Sequence, residues 1–296
     1  MNGKSIERRQ FLKYSAVATF ALGLTGLSPA TAGENKKRKW RKALKYTMLP
    51  KTLSDEAKFK LAKRCGFEGI DGTPLDDLES ARRQAKLARE IGVPIHGLVF
   101  GGWHAPFSDP DPKVIQNGLE GMESALRCAN AMEASTVLLV PALVKETVSY
   151  ADAYKRSQEH IRALLPLAEE MKVIIAIENV WNKFLLSPLE FARYLDEFES
   201  PWVRAYFDVG NVIIHGFAQD WIRTLGKRIV KLDLKDFKRH GFQWTNLGEG
   251  DVNWQQVCQA LDEIGFEGYL TAELAGGDEA YLADVAKRID RIIEIH

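Results

Sequence analysis

The sequence predicts an α/β fold, a closed (β/α)8 barrel in a single domain, from two observations. First, eight short apolar runs alternate with eight segments of helical periodicity along 296 residues, and no linker interrupts them. Second, four successive runs in the second half end at or near an acid: Glu178, Asp208, Asp233 and Glu273. Because the carboxyl ends of parallel barrel strands share one mouth, these four side chains are expected to meet there.

Each predicted strand is a short run of mostly apolar residues. In chain order these runs are Lys45–Met48, Gly69–Asp71, Ile95–Phe100, Thr136–Pro141, Val173–Asn179, Val203–Asp208, Ile229–Lys235 and Tyr269–Leu274. The competing fold is a doubly wound open sheet. No G-x-G-x-x-G follows the first strand, and eight alternations favour closure into a TIM barrel.

The predicted helices carry apolar residues at helical spacing. In chain order they are Ser54–Cys65, Leu75–Ile91, Pro112–Met132, Tyr150–Met171, Ser187–Phe198, Ala218–Leu225, Asn253–Ile264 and Glu279–Ile293. Several begin at typical capping residues: Ser54, Asp111-Pro112, Ser187-Pro188 and Asn253.

Residues 1–32 are interpreted as a twin-arginine export signal. The segment Glu7 to Lys13 contains Arg8 and Arg9, an apolar stretch follows, and Ala30 and Ala32 form an A-x-A cleavage site. The apolar stretch is shorter than the ~20 residues of a spanning helix, although a membrane-anchoring first helix is the alternative. We therefore expect export by the Tat machinery to the periplasm, without membrane association after the signal is removed.

The residues that follow this signal are divided at position 45. Residues 33–44, with a basic run at Lys36–Lys42, are interpreted as a solvated tail, and residues 45–296 as the barrel. The signal carries a charge of +3 in a chain of net charge zero, which leaves the remainder near −3. That balance gives no basic surplus to suggest a nucleic-acid partner.

Three cysteines, Cys65, Cys128 and Cys258, all lie in helical segments without metal-ligand spacing. Their number is odd, and we interpret them as buried small apolar side chains rather than as a disulfide framework or a metal site.

The four acids at the strand ends indicate a metal site. Converging carboxylates repel one another unless positive charge neutralises them. A divalent cation with oxygen ligands is the economical solution, and six oxygen ligands suit Mg²⁺ or Mn²⁺. Zinc would be better matched by histidine or cysteine ligands.

Five segments carry a family resemblance: Glu178–Asn182 (ENVWN), Phe207–Asn211 (FDVGN), Lys231–Asp236 (KLDLKD), Leu247–Trp254 (LGEGDVNW) and Thr271–Leu274 (TAEL). They resemble the xylose isomerase-like TIM-barrel superfamily, in particular its sugar isomerase and epimerase members. The resemblance implies that a Glu, an Asp, a His and a second Glu bind one divalent cation. Glu178, Asp208 and Glu273 match that pattern, whereas Asp233 stands where the family commonly has histidine.

The resemblance also implies the reaction. One of the two glutamates, Glu178 and Glu273 jointly, removes a proton next to a carbonyl of a ketose, keto-sugar or inositol derivative. The resulting metal-stabilised enediolate receives a proton from the other glutamate. Asp233 hardens the site, which favours Mn²⁺ or Mg²⁺ over Zn²⁺ or Co²⁺.

Three alternative functions stay open. A keto-glycoside lyase or hydrolase would use the same proton abstraction, and a non-catalytic carbohydrate-binding barrel would fit the missing histidine. An endonuclease IV-like repair enzyme is disfavoured, because it requires several histidine ligands and the chain has 6 histidines in all.

Further residues at the predicted mouth are candidates for substrate binding. They are Trp103 and His104 after the third strand, Trp181 and Asn182 after Glu178, Asn211 after Asp208, and Lys235 on the strand face of Asp233. Lys235 has a simpler alternative role, pairing with an acid, and His96 is interpreted as a barrel-lining residue. The predicted partner is a small sugar, and the oligomeric state is left open, a homo-oligomer included.

Overall fold

A computed structural model describes residues 38–295, so the export signal predicted at residues 1–32 lies outside the described residues. The strands within that range are β1 (Trp40–Lys45), β2 (Gly69–Gly72), β3 (Ile95–Gly101), β4 (Thr136–Leu139), β5 (Ile174–Glu178), β6 (Val203–Asp208), β7 (Ile229–Leu234), β8 (Asp236–Lys238), β9 (Gln243–Thr245) and β10 (Gly268–Ala272). Eight of them close into a parallel barrel in the order β1-β10-β7-β6-β5-β4-β3-β2. Strands β8 and β9 pair separately as an antiparallel hairpin.

A helix follows each barrel strand. These helices are α1 (Asp55–Arg64), α2 (Leu78–Ile91), α3 (Pro112–Met132), α4 (Tyr150–Met171), α5 (Pro188–Asp196), α6 (Ala218–Leu225), α7 (Trp254–Glu263) and α8 (Glu279–Ile293). The predicted caps are confirmed: the side chains of Ser54, Asp111, Ser187 and Asn253 each accept a backbone N–H of the first helical turn. The predicted (β/α)8 barrel is therefore confirmed.

The first strand begins earlier than predicted, so the boundary of the basic tail at residue 44 is wrong. Strand β1 spans Trp40–Lys45, and Tyr46–Met48, predicted as strand, forms a 3-10 turn. Basic residues concealed this strand, because long cationic side chains can sit in a strand and pair with acids outside the barrel. Lys42 Nζ donates to Asp290 of α8 at 2.7 Å, while Leu44 is fully buried.

The main apolar core fills the layer between the outer face of the barrel and the helices. Cys65, Cys128 and Cys258 lie in it as free buried thiols, as predicted. Among residues 38–295, no helix combines the length and the apolar character needed to cross a bilayer.

The inside of the barrel is unusually polar. TIM barrels generally fill this space with branched aliphatic side chains. Here Lys45, Asp71, His96 and Lys231 are buried. His96 is barrel-lining, as predicted: its Nδ1 lies 2.9 Å from Lys231 Nζ, and its ring stacks on Tyr269 at 4.0 Å. The sequence thus builds a charged interior beneath the barrel mouth.

Candidate active site

Four acids meet at the mouth of the barrel. Glu178 ends β5, Asp208 ends β6, Asp233 is the penultimate residue of β7, and Glu273 follows β10 directly. These strands are neighbours in the barrel, and Asp208 is paired in register with Asp233. One carboxylate oxygen from each residue lies within 4.8 Å of the others. We call these four residues the acid quartet.

Two lysines, the buried Lys45 and the half-buried Lys235, neutralise part of the quartet's charge. Lys235 Nζ lies 3.1 Å from Asp208 Oδ2 and 2.8 Å from Glu273 Oε2. Lys45 Nζ lies 2.8 Å from Asp233 Oδ2 and 2.7 Å from Oδ2 of Asp71, a fifth acid. The quartet and Asp71 together hold five carboxylates, and four of them contact these two ammonium groups.

Both the geometry and the charge of the quartet fit a divalent cation. Asp208 Oδ2, Asp233 Oδ2 and Glu273 Oε2 are buried and accept no hydrogen bond of good geometry, even where an ammonium lies nearby. Burying carboxylates is costly unless positive charge compensates them, and the two ammonium groups near these oxygens are fewer than the five carboxylates. The donors are all carboxylate oxygens, the ligand type that hard cations such as Mg²⁺ and Mn²⁺ prefer.

The environment shifts the pKa values of the quartet in different directions. Burial, with the nearby charge of Glu273, raises the pKa of Glu178 well above its usual range. Burial also raises the pKa of Asp208 and of Asp233, in the latter case against the attraction of Lys45. Burial acts the same way on Glu273, but Lys45 and Lys235 outweigh it and lower its pKa to about 2.

A second buried cluster beneath the quartet was missed by the sequence analysis. Lys45, Asp71 and Tyr206 meet there, and the Tyr206 hydroxyl lies 2.8 Å from Asp71 Oδ2 and 3.1 Å from Asp233 Oδ1. Asp233 thus has a partner at each oxygen, Lys45 at one and Tyr206 at the other. A signal was available, because Lys45 and Asp71 also lie at the carboxyl ends of the first two strands.

Two asparagines hold the loop ends around Asp208. Asn179, which the sequence analysis did not single out, accepts the Asp208 N–H and donates to its carbonyl, each at 2.9 Å. The Asn211 backbone N–H donates to Asp208 Oδ1 at 2.7 Å, and its side chain donates to the Asn179 carbonyl. The predicted candidate Asn211 therefore orients Asp208.

The other predicted candidates for substrate binding differ in their surroundings. The Asn182 side-chain amide makes two hydrogen bonds with the backbone. Its Nδ2 donates to the Ala142 carbonyl and its Oδ1 accepts the Phe184 N–H, so Asn182 holds its loop in place. Trp181 is partly exposed, and its Nε1 donates to the Asn211 carbonyl at 2.8 Å. Trp103 and His104 are exposed in the loop after β3, and their role stays a prediction.

This fold and this acid-lined mouth define a class of protein. The chain belongs to the Xylose isomerase-like TIM barrel family, which matches residues 59–292. The resemblance drawn from the sequence motifs is confirmed at this level.

Several proteins are similar to the chain along most of its length. An L-ribulose-5-phosphate 3-epimerase of Escherichia coli is 26% identical over 247 residues, which cover 79% of this chain and 87% of that protein. The structure of D-allulose 3-epimerase from Methylomonas sp. in complex with D-allulose has a TM-score of 0.72 at 18% identity, covering 88% and 98% of the two chains. That of 3-keto-D-glucoside 4-epimerase from E. coli has a TM-score of 0.72 at 17% identity, covering 86% and 99%.

Proposed function

We propose that the chain is a metal-dependent sugar isomerase or epimerase that acts by proton transfer next to a carbonyl. The acid quartet carries this proposal, because it gathers two glutamates and two aspartates at the mouth of a family barrel. The E. coli relative, an epimerase by name, supports an enzyme of the isomerase and epimerase class. The proposed substrate is a small sugar: a ketose, a keto-sugar or an inositol derivative.

Glu178, Asp208, Asp233 and Glu273 would hold one divalent cation, with Mn²⁺ or Mg²⁺ favoured. The donor set supports this choice of cation, since the quartet offers carboxylate oxygens and neither imidazole nor thiolate. When bound, such a cation supplies positive charge that polarises a carbonyl.

The chain's own residues perform the proton transfer in this proposal. One of the carboxylates of Glu178 and Glu273 accepts the proton from the carbon next to the carbonyl, and the other returns a proton to that carbon. Lys235 lies 2.8 Å from Glu273 and is also near enough to the quartet to donate to a substrate oxygen. Asn179 and Asn211 keep Asp208 oriented through its backbone and Oδ1.

Deuterium exchange tests this function directly. The protein is incubated with Mn²⁺ or Mg²⁺ and a panel of ketoses and keto-sugars in D₂O, and the sugars are followed by NMR. We expect deuterium to enter at the carbon next to the carbonyl, with an epimer or isomer as product. Glu178→Gln and Glu273→Gln should each slow exchange by about 10²–10⁴-fold.

The matched control is Glu249→Gln, which removes a carboxylate that pairs with Arg288 outside the quartet. Exchange should continue in this variant. Absence of exchange across the panel, or exchange that persists in both glutamate variants, would contradict the proposal.

A keto-glycoside lyase is a second candidate, favoured by the exposed aromatic side chains beside the mouth, among them Trp181 and Trp244. It would share the first proton abstraction and then expel a leaving group. The same samples separate the two reactions by mass spectrometry, because epimerisation conserves the mass of the sugar apart from deuterium, whereas elimination releases a second product.

We also propose export of the folded chain by the Tat pathway to the periplasm, on the sequence of residues 1–32. Replacement of Arg8 and Arg9 by lysine should retain the protein in the cytoplasm on fractionation. Unchanged delivery to the periplasm by this variant would contradict the proposal.

A further inference from the structure

Three large aromatic rings form an exposed cluster close to the acid quartet. Trp181 comes from the loop after β5, and Phe242 and Trp244 from the β8–β9 hairpin, with 38%, 60% and 45% of their surfaces exposed. The Trp181 and Trp244 rings stack with centroids 4.9 Å apart and 24° between their planes. The centroids of Trp181 and Phe242 are 5.4 Å apart. We call these three residues the aromatic platform.

The platform rests on a buried support. The Phe237 ring contacts the rings of Trp181, Phe242 and Trp244 with centroid distances of 5.4, 5.2 and 5.1 Å. Asp236 fixes the base of the hairpin by accepting the N–H of Gly248 at 2.8 Å and Trp254 Nε1 at 3.0 Å. Rings held in this way are preorganised, so little freedom is lost when a ligand covers them.

Lys235 connects the platform to the quartet. Its Nζ lies 5.6 Å from the centre of the Trp244 ring and 2.8 Å from Glu273 Oε2. The Lys235 ammonium group therefore lies between the aromatic platform and Glu273, one of the two proposed proton-transfer carboxylates. A second ring joined to a sugar held among the acids is therefore within reach of the platform.

We propose that the aromatic platform is a subsite for a second ring, a sugar or an aryl group joined by a glycosidic bond to the reacting sugar. The preferred substrate is then a keto-glycoside or a disaccharide with a ketose end rather than a free monosaccharide. Indole rings with exposed area offer an apolar surface beside polar groups, which suits the C–H face of a sugar or an aryl ring. This inference rests on the proposed function, because it places the reacting sugar in the quartet.

The test compares matched one-ring and two-ring ligands. The pairs are D-fructose with its glucosyl disaccharides palatinose and turanose, and methyl with phenyl 3-keto-glucoside. Binding is measured by isothermal titration calorimetry on the Mn²⁺-supplemented protein. Each stacked ring should tighten binding by about 3- to 10-fold in at least one pair.

Trp244→Ala should abolish this preference and leave the affinity for the one-ring ligand close to that of the unaltered protein. Leu189→Ala is the matched control, because it removes an exposed apolar side chain on α5, outside the platform. This variant should keep the preference for the two-ring ligand. Equal affinities for both members of every pair, or a preference that survives in Trp244→Ala, would overturn the proposal.

Two further outcomes are distinct. Deuterium exchange into one-ring sugars without any two-ring preference leaves the proposed function standing and removes the subsite. A two-ring preference that depends on Trp244, without exchange, supports the subsite and removes the chemistry. A second copy of the chain is the other possible occupant of the platform, and sedimentation velocity tests for it. If the protein is a dimer that Trp244→Ala dissociates, and the ligand preference is unchanged, the platform is a contact between two copies and the subsite proposal is overturned.

Discussion

The Nζ of Lys45 lies 2.8 Å from Asp233 Oδ2, and both side chains are buried inside the barrel. Asp233 stands where the family resemblance implies a histidine, which places a carboxyl group there instead of an imidazole. Lys45, at the end of β1 two strands away from β7 in the barrel, supplies a compensating positive charge. A buried pair of this kind is costly to break, because removal of one partner leaves the other charged and unpaired.

Replacement of Lys45 by methionine should therefore destabilise the fold strongly. Asp71 and Asp233 would both lose their ammonium partner, and we expect a loss of about 3–5 kcal/mol in the free energy of unfolding. Urea denaturation followed by circular dichroism measures it. Lys60→Met, which breaks an exposed pair with Glu56 on α1, is the matched control and should change little. Equal effects of the two substitutions would contradict the assigned pairing.

A double variant tests the coupling between the two residues. If Asp233→Asn is added to Lys45→Met, part of the lost stability should return, since one uncompensated carboxylate is removed. Additive effects of the two substitutions would mean that Lys45 and Asp233 do not interact.

The buried side chain of Lys231 should make the free energy of unfolding depend on pH. Burial lowers its pKa from 10.5 to about 8. Between these two values the folded chain releases a proton that the unfolded chain retains, so the unfolded state binds more protons and stability rises with pH. From pH 7.5 to pH 10 the wild type should gain about 2 kcal/mol relative to Lys231→Met. Denaturation curves at a series of pH values measure the difference, and parallel pH profiles would refute it.

Asp236 is expected to stabilise the β8–β9 hairpin at the barrel mouth. Its carboxylate accepts from the backbone N–H of Gly248 and Val252 and from Trp254 Nε1. Asp236→Ala would leave these three donors without their charged acceptor, at a cost of about 1.5–3 kcal/mol for each strong bond. We expect faster trypsin cleavage at Lys238 or Arg239 on native-state proteolysis. Glu249→Gln is the control, and cleavage at the control rate would contradict this role.

Sequence patterns located the barrel and the quartet because both depend on local regularities. Helices such as Pro112–Met132 and Tyr150–Met171 have the predicted bounds, since their caps and apolar spacing are written in adjacent residues. Glu178, Asp208, Asp233 and Glu273 were located by their positions at strand ends. Because parallel barrel strands end at one mouth, these four side chains were then expected to lie close together.

The remaining features depend on contacts between distant parts of the chain. The pairing of Lys45 with Asp233 joins β1 to β7, and the residues next to Lys45 in the sequence give no sign of that partner. Strand β1 was misplaced because Arg41 and Lys42 belong to a basic run that resembles a solvated tail. Trp244 belongs to a hairpin of two three-residue strands, which are too short for any periodicity to be read.

Binding of a divalent cation by the acid quartet is the decisive test of the proposed metal site. Mn²⁺ is titrated into the protein and free Mn²⁺ is followed by electron paramagnetic resonance, with Mg²⁺ added as a competitor. We predict one Mn²⁺ per chain, displaced by excess Mg²⁺, with affinity at least tenfold weaker in Asp208→Asn and unchanged in Glu249→Gln. Absence of Mn²⁺ binding, or equal binding by the folded Asp208→Asn variant, would contradict the account.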